Sequence, residues 1–126
     1  MPDLPRVLHG VQPIVADQTA QPVGVVWRLE EVGRQLDVNV LNLPAGERIG
    51  AHVEPDLDVL LVIVAGSGTM VTEAGLLTFG PGQLVWLPRG SVRSLAAGAE
   101  GLAYLTVHRR RPGMQIRSSG QAAADG

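Results

Sequence analysis

The chain of 126 residues contains no cysteine and no lysine. Disulfides, thiolate metal ligands and a cysteine nucleophile are therefore excluded, a composition that fits a reducing compartment. Schiff-base chemistry on a lysine is excluded as well. All ten basic residues are arginine, set against twelve acids, and the formal net charge of −2 exerts no global pull toward nucleic acid or an anionic membrane. Aromatic residues make up only 3% of the chain, so its core must be assembled from Val, Leu, Ile and Ala within a 45% hydrophobic fraction. No apolar run approaches the roughly 20 residues of a membrane span. Met1–Gly10 lacks the basic-then-apolar pattern of a secretory signal. These absences lead us to expect a soluble cytoplasmic protein with no nucleic-acid or membrane partner.

What is abundant is punctuation. Sixteen glycines and nine prolines are spread through the chain, which favours short strands and tight turns over long helices. The length suits one domain. Residues 1–22, with scattered prolines and no clear period, read as an extended arm with a short strand near Val11–Val15. From Val23 strand signals recur at short intervals. Val25–Leu29 precedes a turn at Gly33, and Leu36, Val38 and Val40 then alternate with polar residues, the period of a strand. After a polar stretch, Val59–Val64 is apolar and β-branched, as in a strand buried on both faces. Gly66-Ser67-Gly68 and Glu73-Ala74-Gly75 predict turns, Gly80-Pro81-Gly82 leads into Gln83–Leu87, and Val92–Leu95 and Leu102–His108 supply the last strands. Such spacing predicts an all-β sandwich or small barrel over residues 23–116. The small, polar segment 117–126 reads as a disordered tail.

Two spaced patterns go further. Gly46 is followed by His52-Val53-Glu54, then Asp58 and Gly66; Gly82 is followed by Pro88-Arg89-Gly90 and then Arg93. Together they resemble the two motifs of the cupins, and HVEPDLDVLLVIVAGSGT and VWLPRG look like a group of short, uncharacterised bacterial members. The resemblance covers about residues 36–108 and implies a double-stranded β-helix, or jelly-roll barrel. It also implies a homodimer, since cupins often pair through N-terminal strands. Gly66 and Gly82 have a rationale of their own, because positive φ suits a reversing chain.

The metal set that the resemblance implies is mostly replaced. Metal-binding cupins use two histidines and a glutamate from the first motif and a histidine from the second. Here only His52 matches, Glu54 stands for the second histidine, Asp58 lies near the glutamate position, and Arg93 replaces the last histidine. Counted back from Gly66, Val59 takes the glutamate position instead. Arginine has five donors and no lone pair to offer a cation, so the four-ligand site is broken.

Three readings of His52, Glu54, Asp58 and Arg93 follow. Arg93 pairs with Glu54 or Asp58 and staples a metal-free pocket. Alternatively His52, Glu54 and Asp58 hold Mn, Fe, Ni or Zn, and the protein is an oxygenase- or isomerase-type enzyme. Thirdly, Arg93 anchors a small anionic ligand, with His52 exchanging a proton. The metal-free readings give a small-molecule binder or a non-catalytic module without a cofactor.

Other residues read more simply. His52 taken alone is a hydrogen-bonded structural residue. His9 lies in the arm, and His108 shares a face with Tyr104 and Thr106 but abuts Arg109-Arg110-Arg111, which places it at the barrel's edge. Those arginines lack interleaved aromatics and read as a solvated strand end. Trp27 and Trp86 read as core or dimer-interface anchors. No Ser-His-Asp arrangement, phosphate loop or dinucleotide fingerprint is present.

Overall fold

The computed structural model describes residues 4–11 and 23–111. The expected strand near Val11–Val15 falls almost wholly, and the expected tail 117–126 entirely, outside them. Seven strands are present among the described residues: β1 (Gly24–Arg28), β2 (Leu36–Leu43), β3 (Arg48–Val53), β4 (Val59–Thr72), β5 (Gly75–Phe79), β6 (Leu84–Leu87) and β7 (Val92–Arg109). All pairings are antiparallel. The described residues contain no helix, as the dense Gly and Pro punctuation requires.

Two long strands organise the molecule. The second half of β7 lies between β2 and the first half of β4, with β1 and β6 outside them. The first half of β7 pairs with β3 and with the second half of β4, which carries β5. Each long strand thus serves both halves of a jelly roll.

Gly66-Ser67-Gly68 does not end a strand, and Val92–Leu95 and Leu102–His108 are parts of one strand. The register jumps instead, from Gly66 opposite Leu102 to Gly68 opposite Ala97. Gly66 and Gly101 flank that jump at φ 78 and 79, values that an L side chain rarely adopts. Beside it the backbones approach so closely that a Cβ on Gly68 would lie 2.8 Å from Phe79 Cε1 and 3.0 Å from the Ala96 carbonyl oxygen. The long strands bend because glycine permits both the dihedral and the contact. Gly82 has the expected positive φ, at 84.

The core lies between the two halves and includes Leu61, Ile63, Met70, Phe79, Leu102 and Tyr104. Alternation along β4 sends Val59, Leu61 and Ile63 inward, whereas Leu60, Val62 and Val64 are only half-buried. The expectation of burial on both faces therefore holds for one. On the outer face two apolar rows cross the sheet: Trp86, Leu60, Val107 and Val38, then Leu84, Val62, Leu105 and Val40. Trp86 belongs to this face, 59% exposed, and not to the core. Trp27 is half-buried, with the His9 ring stacked on it at a centroid distance of 5.0 Å.

Candidate ligand cavity

Between the two halves lies a cavity of about 490 Å³. Aliphatic side chains from β2, β3, β4, β6 and β7 form most of its wall, among them Leu41, Ile49, Val59, Leu61, Leu87 and Leu95. Its polar groups are His52, Glu54, Arg93, Ser94, Tyr104, Thr106, His108 and Arg111. Volume and lining match those of small-molecule sites, which are mostly apolar with a few convergent polar groups.

Three of the four residues singled out in the sequence line this space. His52 on β3 stands directly across from Arg93 on β7, and Glu54 follows immediately after β3. Asp58 is not in the wall. Its carboxylate is bonded to Arg89 instead, and Val59, the other candidate for the glutamate position, faces the cavity.

The expected pairing of Arg93 with Glu54 or Asp58 does not occur. Asp58 accepts hydrogen bonds from the Arg89 backbone N–H (2.9 Å) and from Arg89 Nη1 (3.2 Å). Glu54 accepts one from Arg111 Nη2 at 2.5 Å and another from the Asp56 N–H. Both carboxylates are answered from sequence-distant loops, a geometry that strand spacing alone cannot encode. The Gly90 N–H donates to the Glu54 carbonyl (2.8 Å), so residues 54–58 and 88–91 are knitted together beside the cavity.

Arg93 is left as a buried cation, 4% exposed. Its Nη1 donates to Ser91 Oγ (3.0 Å) and to the Pro88 carbonyl (3.4 Å). Its Nε is buried with no hydrogen-bond partner, and Arg93 is in none of the ion pairs formed among the described residues. Burial pulls the pKa of its guanidinium down, and the nearby negative charge of Glu54 acts in the opposite sense. It stays charged, since arginine does not deprotonate in proteins.

Burial raises the pKa of Glu54, but the hydrogen bond and charge of Arg111 and the N–H groups of Asp56 and Leu57 outweigh it and leave the value lowered. Glu54 is therefore an anion committed to Arg111. The sole tyrosine, Tyr104, is pushed up to about 12 by burial and stays a neutral phenol. Arg93 and Arg111 bring two positive charges to the lining and Glu54 one negative.

His108 corrects the sequence reading. It is buried in the cavity wall on the same face as Tyr104 and Thr106. That shared alternation was the signal for it, and the adjoining arginines obscured it. His108 Nδ1 lies 2.8 Å from the Arg109 carbonyl, and His52 Nδ1 lies 3.1 Å from that of Gly50. A carbonyl only accepts, so in each ring Nδ1 carries a hydrogen and Nε2 is free of that contact. Arg111, just beyond β7, had no sequence signal at all.

The residues present do not fit a divalent metal. Among the described residues no three His, Asp or Glu side chains converge. Of the expected donors, Asp58 lies outside the cavity and bonded to Arg89, and Glu54 is bonded to Arg111. A fixed guanidinium stands opposite His52.

No family model and no curated relative matches the chain. Solved structures do. A protein (BH2720) from Bacillus halodurans is 18% identical with a TM-score of 0.63, over 88% of this chain and 89% of that one. A cupin-2 domain protein from Shewanella frigidimarina is 14% identical with a TM-score of 0.59, over 75% and 90%. The Cnp3 cupin domain of Schizosaccharomyces pombe is 17% identical with a TM-score of 0.60, over 68% of this chain and 63%, under two thirds, of that one. At identities this low the structural likeness shows the fold alone. The chain is a cupin-type double-stranded β-helix, as its two motifs implied. No helix among the described residues is long and apolar enough to cross a membrane.

Proposed function

We propose that the protein binds a small anion with an apolar body, without a metal, in the cavity between the two halves of its jelly roll. The observation that carries this reading is Arg93, a buried guanidinium with an unpartnered Nε and no ion pair among the described residues. A buried charge without a contacting counterion is costly, and an anionic ligand would supply one. The aliphatic wall suits the ligand's body, and the Nε2 atoms of His52 and His108 can accept hydrogen bonds or, once protonated, donate them. A metal-dependent oxygenase or isomerase draws no support from the donor set, although cupin folds host many chemistries. Calorimetric titration of the whole protein with hexanoate and benzoate, beside hexanamide and benzamide, tests the reading. The carboxylates should bind about tenfold or more tightly than the amides, and R93M should lose that preference. Equal affinity for acid and amide, or an undiminished preference in R93M, would overturn it.

We further propose that two copies pair through the outer apolar face. Leu84 and Trp86 are 64% and 59% exposed there, at one end of two uncharged rows. A face without charge offers nothing to a charged partner, but under two-fold symmetry it complements itself. Sedimentation should give a dimer that W86E converts to monomer; a native monomer at every concentration would refute the pairing.

A further inference from the structure

The inward face of the sheet does not stop at the cavity. Beyond the wall formed by Thr106 and His108 it continues onto β2 and β1, where a second hollow of about 380 Å³ opens. Leu41, Thr106, His108 and Arg111 line both spaces, so the two adjoin. The second hollow adds Arg28, Arg34, Asp37 and Asn39. Across the strands Thr106 stands opposite Asn39, and Asn39 opposite Arg28. Asn39 Nδ2 donates to Thr106 Oγ1 (3.3 Å), and Arg28 Nε donates to Asn39 Oδ1 (3.1 Å). This polar chain carries the site from Thr106 to Arg28 across two strand spacings, roughly 10 Å.

The charges divide in a telling way. Arg34 is held by Asp37 at 3.0 Å and Arg111 by Glu54. Among the described residues two lining arginines remain outside any ion pair: Arg93 in the inner cavity and Arg28 in the outer hollow. The stretch between them includes the aliphatic Leu41 and the shared wall of Thr106 and His108.

We propose that the two spaces form one elongated site whose ligand is a dianion, with one anionic group at Arg93 and a second at Arg28. This deepens the reading of the inner cavity as an anion site and rests on it. The outer subsite sets ligand length and selects against monoanions, because only a molecule with a second charge at the right separation gains the Arg28 contact.

The test is calorimetric titration of the full chain with succinate, adipate, suberate and sebacate, each paired with the monocarboxylate of equal chain length. One dicarboxylate of the series should bind about tenfold more tightly than its monocarboxylate. In R28Q that ratio should fall to about one, whereas R93M should weaken both members of the pair. If monocarboxylates bind through Arg93 but no dicarboxylate exceeds its partner, or if R28Q keeps the preference, the elongated site is refuted and the inner anion site stands. If neither class binds, both readings fall. Circular dichroism and melting of R28Q, an exposed position, confirm that the comparison is made on folded protein.

Discussion

Replacing Arg93 with methionine separates a binding arginine from a structural one, because the two roles predict opposite changes in stability. An arginine salt-bridged to a buried carboxylate would take about 3–5 kcal/mol with it, since its partner would be left uncompensated. Here the carboxylates are held elsewhere, Glu54 by Arg111 and Asp58 by Arg89. What Met removes is two hydrogen bonds from the charged Nη1, at 3.0 and 3.4 Å, together worth about 2–4 kcal/mol with the longer one the weaker. What it relieves is a buried Nε without a partner, a liability of about 1–3 kcal/mol, and the desolvated charge itself. Met matches the length of the aliphatic stem, so little cavity is created. The ligand-free R93M variant should therefore lie within about 1 kcal/mol of the native protein, on the stabilising side. Urea unfolding followed by circular dichroism measures this as a midpoint shift at constant slope. Each kcal/mol also moves the melting temperature by about 4–8 °C in a domain of this size. A loss of more than about 2 kcal/mol at unchanged slope would mean that Arg93 is paired in solution, and the anion-site argument would fail.

Three further outcomes follow from the geometry. Because the pKa of Glu54 is lowered on folding, its contribution to stability is complete above the ordinary carboxylate range and is lost as pH falls through the lowered value. E54Q should flatten that acid limb of the unfolding profile and cost about 1 kcal/mol at neutral pH, discounted because Arg111 is 40% exposed; an unchanged limb would place the pair in solvent. G68A should destabilise by about 1–3 kcal/mol through overpacking against Phe79, the Ala96 carbonyl and Leu102, and a neutral effect by thermal melting would contradict the close approach. Tyr104 is the sole tyrosine, so phenolate absorbance should appear with a midpoint near 12, and the folded protein should lose stability as pH rises from the ordinary tyrosine value toward that point. Ionisation at the ordinary value of about 10 would show the ring to be hydrated.

The amino-acid sequence by itself determined the class of fold. Turn glycines and prolines at short intervals, apolar alternation and the two spaced motifs are local properties, and local properties decide where strands start, stop and face. The resemblance to cupins implied that His52 and Arg93 lie on paired strands, and turn chemistry marked Gly66 and Gly82 as positions of positive φ. Tyr104, Thr106 and His108 were legible as one face too, though their burial was not. Tertiary structure alone decided the partners. Arg111 reaches Glu54 across 57 positions of chain, and Arg89 reaches Asp58 across 31. Such pairs depend on how two bent strands bring loops together, which no spacing along the chain records. The consequence falls on Arg93: with both carboxylates already answered, the fold leaves it a buried guanidinium outside the ion pairs among the described residues.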